Sequence, residues 1–519
     1  MVDKMGVFKR SYVYQIIATN TASISLLIAG CWIAWPSVMI KRLTDENPDL
    51  ENIGIRLNKY QLSWMVSLLD LGNAISPIFA GILVEKIGRK TTLLLNALLC
   101  LPTWFLVVSN KIECLYIARL FIGISKGVAY TAMPIFIGEI SEHNIRGALG
   151  SIPSGFQMVG TLAILLIGNH VSYNSLNIAL SILPVIFFIL FSFVPETPHF
   201  HAAKNNLKKT EKSLKWYRGN KKDVMEEMNS IMDKTQEDLK SKTGYLELLT
   251  NKSNRRAFTL VMAASLFQRL GGITSMITYS STLLPKLDNA YFGPDQCILV
   301  FMIIMFLSNF LQAPLMDILG RKPLSCFSAA LGCLLTFSTG LFYLYQGELP
   351  NFQYIPYITT LLYAASYYGI GCLPNILVSE LFPINVRCQA SSCASVALAF
   401  GSFITTKFHI LITKSLGQHV IFFIYSSVHF CSVVFNYFYL METKQKTLAE
   451  IQESIMNSHK QLRREKTSPF ECGFDPISKP RISYSLHFFS IALIFLIFDI
   501  EITLIFPSPL IKQKIIIVN

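Results

Sequence analysis

Apolar residues fall along this chain in blocks of about 20, near residues 12–40, 61–84, 91–109, 114–138, 147–169 and 174–194. A polar stretch from Pro195 to Arg256 follows. Six more blocks come after it, near 257–285, 296–319, 324–346, 353–380, 389–413 and 418–441. About 20 apolar residues wound as a helix cross the roughly 30 Å of a bilayer's hydrocarbon core. Lipid offers the backbone no hydrogen-bond partners, so each block is expected to close its own bonds as a helix. The pattern predicts an all-α multispanning membrane protein with twelve transmembrane helices. They form two six-helix bundles, over 1–194 and 257–441, joined by a loop of short helices over 195–256 and followed by a tail over 442–519. The Lys- and Glu-rich periodicity from Leu207 to Leu249 reads as solvated helix.

Composition agrees with the pattern. The chain has 519 residues, of which 52% are hydrophobic and only 15% charged, where a soluble protein carries roughly 25% charged residues. That excludes a soluble enzyme, a nucleic-acid binder and a disulfide scaffold. The 11 cysteines are an odd number, and most lie inside apolar blocks (Cys31, Cys100, Cys326, Cys333, Cys393, Cys431) without metal or disulfide spacing. No metal or cofactor is implied. The first block is too long for a cleavable leader.

The net charge of +13 changes the picture only through its placement. Lys86, Arg89 and Lys90 follow span 2, Arg321 and Lys322 follow span 8, and the middle loop carries 14 Lys and Arg. Basic loops stay cytoplasmic. The N-terminus, the middle loop and its single glycosylation sequon at Asn251 are therefore expected on the inner side, beside anionic lipid.

The halves repeat. Glu85-Lys-Ile-Gly-Arg-Lys90 matches Asp317-Ile-Leu-Gly-Arg-Lys322, each after the second span of its half. Glu139 and Arg146 are matched by Glu380 and Arg387, seven residues apart in both cases. The two matches are offset by 232 and 241 residues, the signature of a carrier built from a duplicated bundle. Arg clamps a carboxylate with parallel hydrogen bonds. Glu85, Arg89, Glu139, Arg146, Asp317, Arg321, Glu380 and Arg387 are accordingly expected to link the two bundles as a cytoplasmic gate. The competing reading is that they anchor helix ends among headgroups, which suffices for Lys86, Lys90 and Lys322.

Residues 12 to about 451 resemble the sugar porter family of the major facilitator superfamily, with the nearest likeness to insect facilitated trehalose transporters. The motifs that carry it are Gly81 to Lys90, Arg119 with Gly123 and Gly127, Pro134 through Glu139 to Gly147, Pro195-Glu-Thr-Pro198, Ser379-Glu-Leu-Phe-Pro383 to Arg387, and Glu442-Thr-Lys. The resemblance implies alternating access for a small sugar at the plasma membrane. Departures gather where substrate should bind. The family's Gln-Gln-x-Ser-Gly-x-Asn of helix 7 is Gln268-Arg-Leu-Gly-Gly-Ile-Thr274 here, with Tyr279 kept. Its Gly-Pro-x-Pro-Trp of helix 10 is Gly371-Cys-Leu-Pro-Asn375, without the aromatic platform. His199 stands where Arg is usual, and Met441 where Pro is. Substrate-binding candidates are Gln157, Gln268, Arg269, Thr274, Tyr279 and Asn375.

Single residues leave open choices. Gly123 and Gly127 read as close helix packing. Gly371 and Pro374 can break span 10 and free backbone groups. Lys407 and His409, near the end of span 11, read as interfacial. Asp70 and Lys126 lie at about the same depth, 15 and 13 residues before Glu85 and Glu139, so they either pair or leave Asp70 to take up protons. Arg269 lies 13 residues beyond Arg256, about 20 Å in. It either turns to protein acceptors, or meets an anionic solute. The rivals to a facilitative sugar carrier are thus a carrier for another solute such as an organic anion, and a transporter-like sensor.

The tail departs from all this, and adds an extra apolar C-terminal segment from about Leu486 to Phe506. Residues 463–519 hold twelve Ile but neither Met nor Trp. The run from Ser468 to Pro476 and on to Phe498-Asp-Ile-Glu-Ile502 resembles subunit three of mitochondrial NADH:ubiquinone oxidoreductase. The composition fits mitochondrial codons read by the nuclear code, and predicts a fused fragment with no electron chemistry of its own.

Overall fold

The computed structural model describes residues 10–451 apart from 45–55, 110, 143–144, 219–223, 241–245, 280–282, 286–292, 348–351, 372, 383 and 445–449. The chain divides into two units, Met1–Ser458 and His459–Asn519. The second unit, with the apolar run expected from Leu486, lies outside the described residues.

The described residues are almost entirely helical. In the first half run α1 (Arg10–Thr44), α2 (Lys59–Ile87), α3 (Arg89–Val108), α4 (Ile112–Ile140), α5 (Arg146–Ile167) and α6 (Tyr173–Ser192). Short helices α7 (Pro198–Ala203), α8 (Leu207–Arg218), α9 (Val224–Lys240) and α10 (Leu246–Thr250) make the middle segment. The second half contains α11 (Lys252–Leu270), α12 (Ile273–Thr278), α13 (Pro294–Leu319), α14 (Arg321–Leu344), α15 (Ile355–Ser366), α16 (Tyr368–Gly371), α17 (Leu373–Leu381), α18 (Ile384–Leu416) and α19 (Gln418–Tyr439). Ten described helices are long and apolar enough to cross a membrane. The remaining two blocks differ in form. Only Pro294–Ser308 of α13 is described as an apolar stretch, and the block near 353–380 is divided into α15, α16 and α17.

The same local devices recur in both halves. The Asn58 N–H donates to Gln61 Oε1 at 2.9 Å at the start of α2, and the Gly293 N–H to Gln296 Oε1 at 3.0 Å at the start of α13. In each case the glutamine side chain reaches back to satisfy the N–H of the residue that precedes the helix. At the other ends, Gly88 and Gly320 take φ of 106° and 93°, a conformation that residues with a Cβ resist.

Within each half, small residues set the spacing. α2 lies so close to α4 that a Cβ on Gly123 would collide with the Leu69 carbonyl, and one on Gly72 with that of Leu120. The core of the first half includes Trp32, Trp35 and Trp104, with Trp32 stacked on Trp104 at 4.1 Å. The middle helices dock on this half. Buried Arg218 donates to the Ile140 carbonyl at the end of α4 (2.8 Å) and pairs with Glu227 at 2.7 Å.

The halves meet along α2 with α18, α5 with α13, and α1 with α12. The described side-chain contacts that cross this seam lie in mid-span or toward the face opposite the Gly-Arg-Lys turns. Lys41 pairs with Asp295 at 2.8 Å. Ser63 Oγ donates to the Lys407 carbonyl at 2.6 Å, and the Lys407 ammonium sits 3.4 Å from the Trp64 ring centre.

Candidate functional site

At the face of the Gly-Arg-Lys turns stand two clusters of the same construction. In the first, Arg89 donates Nε and Nη2 to Glu139 Oε1 at 3.0 and 2.6 Å, and Thr197 Oγ1 donates to the other carboxylate oxygen at 2.6 Å. Glu196 Oε1 receives the backbone N–H of Arg89 and of Lys90, both at 3.0 Å. In the second, Arg321 donates Nε and Nη2 to Glu380 Oε1 at 3.1 and 2.8 Å, and Thr443 Oγ1 donates to Oε2 at 2.5 Å. Glu442 receives the backbone N–H of Arg321 and of Lys322 at 3.0 and 3.1 Å. Glu196 and Glu442 thus each cap a helix N-terminus, where the exposed N–H groups favour a carboxylate. Burial pushes the Glu442 carboxyl up, but bonds from the N–H groups of Lys444, Arg321, Lys322 and Thr443 outweigh it and hold it below the usual range. His199 borders the first cluster. Burial pushes its pKa down, Glu139 opposes, and Arg89, Arg218 and Arg146 add to the lowering.

The gate predicted to link the bundles is corrected in its connections. Arg89–Glu139 and Arg321–Glu380 each join helices of one half. Arg146 donates to the Ser141 carbonyl at 3.4 Å and Arg387 to the Phe382 carbonyl at 3.1 Å, both within their own turns. The reason is proximity: the acid ending the fourth span lies beside the turn after the second span of the same half. Glu85 is exposed, and the Asp317 side chain lies outside the described set. Glu196, Thr197 and Thr443 are participants that sequence reasoning misses. Their signal is the Glu-Thr pair after the last span of each half.

In the second half two helices are interrupted, and each break is closed by the other. α11 gives way to α12 at Gly271 and Gly272, where Gly272 takes φ of 91°. Tyr363 donates to the Gly271 carbonyl at 3.1 Å, and Tyr367 to that of Gln268 at 3.2 Å. In return Gln268 Nε2 donates to the Gly371 carbonyl, released where α16 ends. The Gln268 Oε1 is buried without a partner. Broken helices of this kind expose polar backbone at mid-membrane, where carriers hold their solutes.

Around these breaks the candidates separate. Thr274 Oγ1 lies 3.2 Å from Ser402 Oγ and accepts from Arg269 Nη1 at 3.5 Å. Gln157 accepts from the Tyr130 hydroxyl, across from α4 to α5. Asn375 is exposed on α17. Tyr279 is corrected as a lining residue in this conformation. It is wholly buried, donates to the Thr406 carbonyl at 2.8 Å and stacks on His409 at 4.9 Å. His409 is likewise no interfacial group: it is 4% exposed, with Nδ1 2.9 Å from the Tyr425 hydroxyl. Counting from the end of an apolar block misplaces it, because α18 runs on to Leu416.

An acid and a cation meet at the middle of the seam, with a second cation buried behind them in the first half. Asp70 and Lys126 approach to 3.5 Å, with side chains 4% and 12% exposed. The other Asp70 oxygen accepts from Thr406 Oγ1 of α18 at 3.4 Å, which crosses the seam. Arg119 is wholly buried, with Nη1 3.0 Å from the Trp32 carbonyl and its guanidinium 4.7 Å from the Trp35 ring centre. Such contact with an indole face partly replaces lost water. Among the described residues no group of His, Cys, Asp and Glu could hold a metal ion.

Comparison with known proteins decides the family, since the model described as "Sugar (and other) transporter" matches residues 20–455. The chain belongs to the sugar (and other) transporter family. It is 28% identical to a facilitated trehalose transporter Tret1 of Culex quinquefasciatus, over 85% of this chain and 86% of that one. Against the Tret1 of Anopheles gambiae the identity is 27%, over 85% of this chain and 56% of the relative. Among solved structures, the inward-open xylose transporter XylE from E. coli superposes with a TM-score of 0.69 at 19% identity, over 85% of this chain and all of that one. That likeness concerns the fold. Residues 447–518 match the model of NADH-ubiquinone/plastoquinone oxidoreductase chain 3, which bears out the likeness seen in the tail.

Proposed function

We propose that this family member is a facilitative, alternating-access carrier for a sugar, trehalose or a hexose, at the plasma membrane. It has twelve spans in two six-helix bundles, over 1–194 and 257–441, with the middle segment and N-terminus cytoplasmic. The observation that carries this reading is the one-sided seam. The halves bond through Lys41–Asp295, Ser63–Lys407 and Asp70–Thr406, while the duplicated Arg–Glu clusters at the other face bond within their own halves. A solute held between the bundles would be reached from that second face, and rocking would exchange the closed side. Gln157, Gln268, Thr274 and Asn375 supply amides and hydroxyls that match sugar hydroxyls as donors and acceptors. No carboxylate stands in span 1, and Asp70 already faces a lysine, which favours passive movement over proton coupling.

The test is uptake of labelled trehalose and glucose into vesicles holding the purified chain. Saturable uptake that survives collapse of the proton gradient is expected. Sugar binding with no flux would replace the carrier by a sensor.

The tail is proposed as a mitochondrial fragment joined to the carrier. The chain ended after Ser458 is expected to transport as the full chain does. A loss of flux on that truncation would give the tail a function, and a reproducible message continuous across Gln461 to Phe470 would rule out a join that exists only in the gene model.

A further inference from the structure

The middle of the membrane carries more positive charge than the protein itself balances. Asp70 is the single acid in the central part of the twelve apolar blocks over 12–441. Both of its oxygens are taken, one by Lys126 and one by Thr406. Arg119 rests on two indoles and a backbone carbonyl. Arg119 keeps Nε and Nη2 without partners but is sealed from solute by complete burial, whereas Arg269 is only partly buried and has no aromatic face beneath it among the described residues. Its Nη1 reaches the Thr274 hydroxyl at 3.5 Å, its Nε is buried without a partner, and no carboxylate pairs with it among the described residues. A guanidinium stays charged at any physiological pH, so at this depth it requires an anion or water.

Its position fits a solute site. Arg269 ends α11, at the break whose carbonyls Tyr363 and Tyr367 hold. Gly401 of α18 passes so close that a Cβ there would stand 2.9 Å from the Arg269 Cβ, which fixes the root of the side chain. Thr274 ties it to Ser402, and one turn along α18 Thr406 ties to Asp70. Lys126 lies within electrostatic reach of Arg269 from the other half. The guanidinium therefore lies toward the seam, and Gln268, next in the chain, also keeps its Oε1 buried without a partner.

We propose that Arg269 binds a carboxylate on the transported solute, and that the substrate class is sugar acids of the hexuronate type. A carboxylate matches the planar fork with two parallel bonds. Its single charge balances the one partly exposed cation at the break that has no carboxylate among the described residues, since Arg119, which also lacks one, is wholly buried. A phosphate dianion would require a second free cation, and Lys126 is already occupied by Asp70. The proposal rests on the carrier reading and narrows it.

Labelled glucuronate, glucose and glucose 6-phosphate are compared in vesicles holding the full chain, and thermal stabilisation by each is measured on the protein in detergent. Saturable glucuronate uptake, faster with the vesicle interior positive, is expected. Arg269→Gln should lower the glucuronate-to-glucose rate ratio about tenfold, and Arg269→Lys by less, since a lysine keeps the charge but loses the fork. Glucose flux with no glucuronate flux or stabilisation would overturn the proposal and leave the sugar carrier standing. An equal fall for both solutes in Arg269→Gln would also overturn it, by making the residue structural. A preference for glucose 6-phosphate would overturn the carboxylate assignment. If no solute moves or stabilises, the carrier reading fails with it.

Discussion

Asp70→Asn is expected to abolish solute flux, and Asp70→Lys combined with Lys126→Asp to bring it back. The two side chains are 4% and 12% exposed and 3.5 Å apart. Removing one member of a buried pair leaves the other charge uncompensated, at about 3–5 kcal/mol. Lys126 would then face Arg269 and Arg119 with no acid among them. Such a loss corresponds to roughly a hundredfold or more in any step that must desolvate the seam. The exchanged pair restores the balance, although Thr406 would then meet an ammonium instead of a carboxylate, so recovery should be substantial but incomplete. Uptake in vesicles, with thermal unfolding of each variant alongside, measures both. The outcome against pairing is an exchanged variant that folds and remains inactive. If flux of the unaltered protein also drove proton uptake, Asp70 would be the proton carrier instead.

The depth of that pair is legible in the sequence, because two helices running the same way place residues at equal distance from their ends at equal height. The duplicated Gly-Arg-Lys turns are legible for a similar reason: only glycine readily accepts the φ that Gly88 and Gly320 adopt. What sequence does not give is which neighbour satisfies each charge. Arg89 bonds to Glu139, 50 residues away in its own half, when duplication alone suggests a partner across the seam. The exchange of carbonyls between the two interrupted helices is equally hidden. Gln268 and Gly371 are 103 residues apart, and nothing in either segment announces the other. Tyr279 shows the limit of motif matching. Its identity is kept, but its ring is buried against His409, so a retained residue does not mean a retained contact with solute. The departures are the better guide to the site: Arg269, the residue least like the family pattern, has no carboxylate partner among the described residues and keeps a buried Nε unbonded.

The two Arg–Glu clusters predict a pattern of coupling. Arg89 and Glu139 are 14% and 15% exposed, Arg321 and Glu380 12% and 21%. Breaking either pair from one side should cost about 1–3 kcal/mol, less than a fully buried pair because water reaches part of each group. Arg321→Gln and Glu380→Gln share one set of bonds, so together they should destabilise little more than either alone, with about 1–2 kcal/mol of interaction energy between them. Arg89→Gln and Glu139→Gln should behave the same way. Glu139→Gln combined with Glu380→Gln touches two separate clusters, and those losses should add to within about 0.5 kcal/mol. Thermal unfolding of the purified variants reads all three cycles. Strong coupling between Glu139 and Glu380, with none inside each half, would mean that the carboxylates act across the seam in the dominant conformation. Additivity between halves assigns them instead to clamping each bundle as a rigid body. Rigid bundles are what rocking requires, since a carrier whose bundles deform would open one side without closing the other. On that view Arg146 and Arg387, which among the described residues bond to carbonyls of their own turns, are the groups with bonds left to form when that face shuts.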